Sequence, residues 1–254
     1  MTKAPDARKV YEGPDKKSLL FYLSSYGRYR EVNEFLREHY LPKTGSINAL
    51  LVGIGRDTNM KSCGGANCAA SHIEFAEMLE RSGKEYRMTV LDVDKEAIKA
   101  AKNRNFIFTS DEEYDGAEGT VPVPETFRKK RAAGEIKFVE GDIVTADISQ
   151  YGPFDVVQCF NVLCHVVTSP FEENHMLNEI RYDTIRSAMS NMARNTRQGG
   201  IIVIDDVIEY DDISDIRSPG HSIILSLANE EEMKMMPVNK LCKGKDYLFF
   251  RKGN

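Results

Sequence analysis

The 254-residue sequence predicts an α/β fold: a seven-stranded, mostly parallel, doubly wound sheet with a terminal antiparallel hairpin and a short N-terminal helical segment. Apolar runs of strand length alternate with stretches of helical periodicity, as expected for a parallel sheet. The run at residues 201–204 is apolar throughout, which favours a strand covered on both faces. The run at residues 47–53 ends at a glycine, and the next, at residues 87–92, ends in an acid. This layout is typical of a nucleotide-binding βαβ unit.

The chain is predicted to divide into an N-terminal part, residues 1–45, and one domain over residues 46–254. Apolar spacing within residues 17–41 predicts one or two amphipathic helices. The domain should contain five parallel strands, at 47–53, 87–92, 136–140, 154–159 and 201–204, and helices at about 69–82, 95–103 and 175–196. Residues 104–134 interrupt this alternation and are predicted to form an insertion.

The C-terminal region contains two further apolar runs, at residues 221–228 and 246–251. The short polar connection at residues 242–246 predicts a terminal hairpin, so the last strand is expected to be antiparallel. Gly199 and Gly200 are predicted to end the loop before the fifth strand.

Composition restricts the possible classes of function. Hydrophobic residues make up 41% of the chain, enough for one core, and the net charge of −5 argues against a nucleic-acid partner, since phosphate contacts need clustered Lys and Arg. Residues 1–9 show no apolar segment of a secretory signal, and no apolar run approaches the roughly 20 residues of a membrane span. The five cysteines are an odd number and are expected to be reduced thiols. We therefore expect a cytoplasmic protein without a membrane partner.

The first βαβ unit contains the candidate ligand residues. Gly53 and Gly55 would let the backbone approach a ligand closely, although glycines are also common in ordinary strand-to-helix turns. Asp92, at the tip of the second strand, is placed to accept both hydroxyls of a ribose. Asp94 is the alternative acid, but an Asp before Lys-Glu-Ala-Ile also predicts a helix N-cap. Asp92 is therefore preferred for the ribose.

Four segments, in the correct order and at normal spacing, carry a family resemblance. They are the glycine segment 50–55, the acidic strand and helix at 90–101, the segment Phe-Val-Glu-Gly-Asp-Ile at 138–143, and residues 154–163 followed by 197–204. Together they resemble the class I S-adenosylmethionine-dependent methyltransferases over residues 47–251. The layout is nearest to that of the chemoreceptor glutamate methyltransferases, in which Asn-Val-Leu follows strand four and an insertion precedes strand three.

The resemblance implies a Rossmann-like domain that binds S-adenosylmethionine as its cofactor. Asp142 would accept a hydrogen bond from the adenine amino group and Ile143 would lie against the ring, although Gly-Asp is also a plain turn pair. Asn161, at the tip of strand four, would hold the cofactor or orient the methyl acceptor, with loop capping as the alternative. The residues implied for cofactor binding are Gly53, Gly55, Asp92, Val93, Asp142, Ile143, Phe160 and Asn161.

The glycine segment departs from the family pattern at two positions. Leu51 stands where an acid is usual, and Asp57 stands where a third glycine is usual. Residues 56–66 also form a longer segment than usual. A non-catalytic relative that keeps the fold as an interaction module is therefore one alternative function, and an NAD-binding oxidoreductase is a second, because the βαβ unit alone is shared.

The type of methyl acceptor remains open between a small molecule and a protein side chain, with a carboxylate, oxygen or nitrogen as nucleophile. Phe160-Asn-Val-Leu163 replaces the Asp-Pro-Pro-Tyr or Asn-Pro-Pro-Tyr typical of base methylation, which disfavours a DNA or RNA base. A carboxylate acceptor needs no general base, whereas an amine or hydroxyl usually does. His165 is the nearest candidate base, so Asn161 and His165 are the predicted catalytic residues. The insertion and the helices of residues 17–41 are predicted to border the acceptor entrance.

Other polar clusters are assigned structural roles. Cys63, Cys68 and His72 form one Cys/His cluster, and Cys159, Cys164 and His165 form another. Their spacings match no common zinc module, so no metal is predicted. The basic run at residues 127–131 is expected to form a solvated helix face, and Tyr22, Tyr26 and Tyr29 are expected to pack a helix onto the domain.

Overall fold

The computed structural model describes residues 29–42, 45–54, 56–57, 67–68, 71–103, 106–110, 118–160, 162–163, 175–207, 221–236 and 246–253. Its main element is a mixed sheet of seven strands, mostly parallel and with antiparallel C-terminal strands, accompanied by helices and two two-stranded sheets. The predicted fold class is therefore confirmed. The chain separates into two compact units, with a boundary between Gly141 and Asp142.

The first unit has three parallel strands of the main sheet. Its elements are α1 (Arg30–His39), β1 (Ile47–Val52), β2 (Arg56–Asp57), β3 (Asn67–Cys68), α2 (Ser71–Arg81), β4 (Tyr86–Asp92), α3 (Lys95–Asn103), β5 (Phe106–Ser110), β6 (Glu118–Pro122), α4 (Glu125–Ala132) and β7 (Ile136–Glu140). Strand β4 is the central strand, with β1 and β7 as parallel neighbours. Val52 is in register with Leu91, and Asp92 with Glu140, so the carboxyl ends of the three strands lie at one edge.

Two helix boundaries in the first unit lie where the sequence predicts, namely the end of α2 and the start of α3. Helix α2 buries Ile73 and Phe75 and ends just before Gly83, whose φ of +70° is a left-handed conformation that glycine adopts without strain. Helix α3 begins after Asp94, and Oδ1 of Asp94 accepts hydrogen bonds from the N–H groups of Glu96 at 2.9 Å and Ala97 at 3.4 Å. Asp94 is therefore the predicted N-cap.

Helix α1 packs onto the first unit through α2. Tyr29 is 2% exposed, and its backbone N–H donates to Oε2 of the buried Glu74 on α2 at 3.1 Å. The structure thus supports the packing role that was expected for Tyr29, whereas Tyr22 and Tyr26 lie outside the described residues.

The predicted insertion contains an antiparallel hairpin followed by a helix. Strands β5 and β6 pair from Phe106 opposite Pro122 to Ser110 opposite Glu118. Helix α4 then leads into β7 through Gly134, which has a φ of +75°. The hairpin was not predicted, because its strands are short and lack a clear alternation of apolar and polar residues.

The second unit contributes the remaining strands. Its elements are β8 (Phe154–Cys159), α5 (His175–Asn195), β9 (Thr196–Val207), α6 (His221–Glu230), β10 (Met233–Met235) and β11 (Asp246–Lys252). Strands β8 and β9 are parallel, β11 is antiparallel to β9, and β10 is antiparallel to β11. The antiparallel C-terminal strand is confirmed.

Two features of the second unit were not predicted as the structure has them. The apolar run at residues 221–228, to which the sequence analysis assigned no element, lies in a helix and buries Ile224, Leu227 and Ala228 at helical spacing. Strand β9 begins at Thr196 rather than at residue 201, so Gly199 and Gly200 lie within it. A Cβ atom on Gly200 would come within 2.7 Å of Thr196 Cγ2, which explains why glycine occupies this position. The pairing of β8 with β9 is irregular at this point, as in a β-bulge.

Helix α5 buries Ile185, Met189 and Met192, three of the five residues that were predicted to form its apolar face. The side chains of the other two, Met176 and Ile180, lie outside the described part of the helix. Among the described residues, no helix is both long and apolar enough to cross a membrane.

Candidate functional site

The turn after β1 is fixed against the end of β4. Gly53 has a φ of +81°, a left-handed conformation that is strained for other L-residues. Its N–H donates to the carbonyl of Leu91 at 2.8 Å. Glycine is therefore needed at this position for the chain to leave β1 in this direction.

Asp92 joins three segments at the carboxyl edge of the first unit. Oδ2 accepts a hydrogen bond from the Ile54 N–H at 2.6 Å, and Oδ1 accepts one from the Asp94 N–H at 2.7 Å. The Asp92 carbonyl accepts a third from the Gly141 N–H at 2.9 Å. The residue is only 8% exposed, so these charge-assisted bonds offset the cost of burying its carboxylate.

This arrangement brings two of the predicted site residues together. The glycine turn at Gly53 and the carboxylate of Asp92 meet through Ile54, and the half-buried Val93 follows directly. The second predicted glycine, Gly55, lies outside the described residues.

Asp142 and Ile143 begin the second unit in a compact turn. Oδ1 of Asp142 accepts from the Val144 N–H at 2.9 Å, while its carbonyl accepts from the N–H groups of Thr145 at 3.0 Å and Ala146 at 2.7 Å. Ile143 is 3% exposed, and Asp142 is half-buried. The backbone of this turn is thus ordered by the side chain and the carbonyl of Asp142, the residue that is predicted to contact adenine.

Asn191 on α5 was missed by sequence reasoning. Its side-chain amide donates to the carbonyls of Ile143 at 2.8 Å and Ala146 at 2.9 Å. No sequence signal distinguishes Asn191 from other polar residues of this helix, because its partners lie more than forty residues earlier in the chain.

Phe160, at the end of β8, is 5% exposed. Its ring packs against Tyr247 of β11, with ring centroids 5.5 Å apart. The two predicted catalytic residues that follow, Asn161 and His165, lie outside the described residues. Their assignments remain predictions.

His72 lies in an aromatic cluster. Its ring is 1% exposed and makes edge contacts with Phe127, at a centroid distance of 5.7 Å, and with Phe138, at 6.2 Å. Within the ranges that the structure describes, no group of three His, Cys, Asp or Glu residues could hold a metal ion. Cys63, Cys164 and the side chain of Cys68 fall outside those ranges.

A cavity of about 340 Å³ lies at the opposite end of β4 from Asp92. Its lining consists of Ile73, Ala76, Glu77, Glu80 and Arg81 on α2, Tyr86 at the start of β4, and Pro124, Thr126 and Phe127. Burial, followed by the neighbouring Glu80 carboxylate, raises the pKa of Tyr86 above its ordinary value. This cavity is separate from the carboxyl edge to which the sequence assigns ligand binding.

The basic run at residues 127–131 is partly used in packing. Lys130 forms ion pairs with Glu135 at 2.6 Å and Glu85 at 3.3 Å, and its ammonium lies 4.6 Å from the centre of the Tyr86 ring. Lys129 pairs with Glu125 at 3.0 Å on the exposed face of α4. Acidic neighbours on the same unit thus offset at least two of the four charges.

Solved structures share the fold of this chain. No family model matches the sequence, and no curated protein matches it. The N-methyltransferase NodS from Bradyrhizobium japonicum, in complex with S-adenosyl-L-homocysteine, is similar with a TM-score of 0.54 and 16% identity, covering 98% of each chain. An S-adenosylmethionine-dependent methyltransferase from Clostridium acetobutylicum has a TM-score of 0.53 and 11% identity, covering 97% of this chain and 98% of the other. Magnesium protoporphyrin IX methyltransferase from Synechocystis, with bound SAM, has a TM-score of 0.51 and 10% identity, covering 100% of both. The chain therefore has the fold of S-adenosylmethionine-dependent class I methyltransferases.

Proposed function

We propose that this protein transfers a methyl group from S-adenosylmethionine to a small molecule or a protein side chain. The observation that carries the proposal is the bond between the glycine turn and the acid at the end of the neighbouring strand, from the Ile54 N–H to Asp92 Oδ2 at 2.6 Å. A ligand that has a ribose suits this place, because a carboxylate can accept from both hydroxyls of a diol. The shared fold with methyltransferases favours S-adenosylmethionine over other nucleosides.

The residues of the first unit fit the nucleoside part of the cofactor. Asp92 would accept from the ribose hydroxyls, and Gly53, whose φ of +81° is strained for residues with a side chain, would let the backbone pass close to the ligand. Val93 and Gly55 would complete this part of the site. When bound, S-adenosylmethionine supplies a methyl group on a positively charged sulfur, which a nucleophile can displace.

The roles of Asp142, Ile143, Phe160 and Asn161 are proposed from the resemblance of segments 138–143 and 154–163. Asp142 would accept from the adenine amino group, and Ile143 would cover a face of the ring. Phe160 would add an apolar surface, and Asn161 would hold the cofactor or orient the acceptor.

The acceptor is proposed to react without a strong protein base. The residues at the end of β8, Cys159, Phe160 and Asn161, are uncharged. This favours a carboxylate, or a nucleophile whose proton leaves to solvent. His165 is the nearest residue that would serve as a base for an amine or hydroxyl acceptor.

A protein carboxylate is the most specific acceptor that the proposal includes. The choice of a protein carboxylate rests on the resemblance to the chemoreceptor glutamate methyltransferases. The features that carry this resemblance are Asn-Val-Leu at residues 161–163 and the insertion before β7. The net charge of −5 favours a substrate other than nucleic acid.

Transfer of a labelled methyl group tests the proposal. The protein is incubated with S-adenosylmethionine carrying a tritiated methyl group and with a panel of acceptors: acidic peptides, small amines, phenols and small carboxylic acids. The proposal predicts that label moves to at least one acceptor class and that Asp92→Ala abolishes most of the transfer. Tight binding of the cofactor without transfer to any class would instead favour the non-catalytic alternative.

A further inference from the structure

The turn at residues 142–146 is held from outside by one side chain. Nδ2 of Asn191, on α5, donates to the Ile143 carbonyl at 2.8 Å and to the Ala146 carbonyl at 2.9 Å. An amide nitrogen carries two hydrogens, so both are used to hold the turn. The two accepting carbonyls lie on either side of Val144 and Thr145 and therefore fix the whole turn against the helix.

A second asparagine fixes the orientation of the first. Nδ2 of Asn195, one helical turn later, donates to Asn191 Oδ1 at 3.0 Å and to the Asn191 carbonyl at 2.8 Å. With Oδ1 engaged by a donor, the nitrogen of the Asn191 amide must face the turn. The reverse orientation would place its oxygen against two carbonyl oxygens, which repel it.

The turn's own hydrogen bonds set its shape, whereas those from Asn191 set its position on the helix. Asp142 bonds to the N–H groups of Val144, Thr145 and Ala146, all within the turn. These bonds would persist if the turn moved as one body. The contacts from Asn191 resist that movement, because they join the turn to a helix whose opposite face is buried.

We infer that Asn191 is a positioning residue that holds Asp142 and Ile143 in place to recognise the adenine base. The inference rests on the proposed function, since it assumes that this turn contacts the cofactor. The recognised feature would be the exocyclic amino group, a donor that matches the carboxylate of Asp142. Replacing that amino group by an oxo group presents an acceptor to an acceptor, which a well-positioned site rejects strongly.

The experiment compares two ligands by calorimetry: S-adenosylhomocysteine and S-inosylhomocysteine, in which an oxo group replaces the adenine amino group. The wild-type protein should prefer S-adenosylhomocysteine. Asn191→Ala should lower the affinity for S-adenosylhomocysteine by about tenfold. The affinity for S-inosylhomocysteine should fall less, so that the preference for S-adenosylhomocysteine becomes smaller. Asn195→Ala keeps the Asn191 amide but removes the hydrogen bond that fixes its orientation, so it should reduce the preference by a smaller factor. This variant tests the inference if Asn191→Ala does not fold.

Ser187→Ala is the matched control, because Ser187 lies one turn earlier on the same helix and its hydroxyl donates to the Asp183 carbonyl. It should leave the preference unchanged. An equal loss for both ligands in Asn191→Ala and Asn195→Ala would indicate a structural role only and overturn the inference, as would an unchanged preference in both variants. Failure of the wild-type protein to bind either ligand would instead contradict the proposed function.

Discussion

The backbone N–H of Ile54 donates a 2.6 Å hydrogen bond to Oδ2 of Asp92, 38 residues later in the chain. This bond links the turn after β1 to the end of β4, where Asp92 is 8% exposed. The same carboxylate accepts from the Asp94 N–H that leads into α3. One acid thus shapes both the loops that border the proposed nucleoside site, so substitutions of Asp92 must be judged on folding and on binding separately.

Gly53→Ala should reduce both stability and cofactor affinity. Alanine at a φ of +81° costs about 1–2 kcal/mol, and relief of that strain would move Ile54 away from Asp92. Gly83→Ala is the matched control, because Gly83 has a φ of +70° and an added Cβ would meet nothing within 4 Å. Urea unfolding should show similar destabilisation for the two variants, whereas calorimetry should show weaker binding of S-adenosylhomocysteine for Gly53→Ala alone. Equal affinities in the two folded variants would exclude Gly53 from the site.

Shortening the hairpin connection should separate cofactor binding from methyl transfer. Residues 111–117 join β5 to β6, and an Asn-Gly pair in their place keeps the two strands paired. If the insertion borders the acceptor entrance, transfer should fall about tenfold or more, since misplaced substrates react slowly. Affinity for S-adenosylhomocysteine should stay within about twofold of wild type. A folded variant that no longer binds S-adenosylhomocysteine would assign this segment to the cofactor site instead.

Asn161→Ala should lower turnover more than cofactor affinity, because Asn161 is proposed to position the acceptor rather than to ionise. Turnover should fall by about tenfold to a hundredfold. The pH–rate profile of the wild-type enzyme should lack a limb near the value of about 6.5 expected for a histidine base. A limb at that pH which disappears in His165→Gln would show that His165 is the base and that the acceptor requires deprotonation.

Tyr86 should make the protein less stable at alkaline pH. Burial and the Glu80 carboxylate raise the pKa of Tyr86 in the folded state, whereas an unfolded chain has the ordinary value of about 10. The unfolded state then loses its proton first, so this contribution to stability is complete below about pH 10 and is lost as the pH rises further. Urea unfolding between about pH 8 and pH 11 should show a smaller loss of stability for Tyr86→Phe than for wild type. If the free energy of unfolding depends on pH with the same slope in both proteins, Tyr86 is not the group responsible.

The elements that could be predicted from the sequence are those whose signal is local. The strand from Ile47 and the strand ending at Asp92 follow from apolar runs bounded by a glycine or an acid. The cap at Asp94 follows from the residue type and the helix that comes after it. The helix that contains residues 221–228 was not predicted, because a short apolar run fits a strand and a buried helix equally well.

The contacts that could not be predicted depend on tertiary structure. An acid at the end of β4 was expected at the site, but its bond to the Ile54 N–H depends on how β1 and β4 pair. The hydrogen bonds from Asn191 to the turn after β7 depend on the packing of a helix against a loop that is distant in the sequence. Hydrogen bonds of this kind leave no periodic pattern in the chain, whereas burial does.

The most direct test of the account is the affinity of wild type, Asp92→Ala and Asp94→Ala for S-adenosylhomocysteine, with NAD titrated in parallel. Wild type should bind S-adenosylhomocysteine and not NAD. Asp92→Ala should weaken that binding by about 1.5–3 kcal/mol, or about tenfold to more than a hundredfold, through the loss of a charge-assisted bond to the ribose. Asp94→Ala, which removes the cap of α3, should lose about 1 kcal/mol of stability and keep its affinity. Unchanged affinity in folded Asp92→Ala, or binding of NAD in place of S-adenosylhomocysteine, would contradict the account.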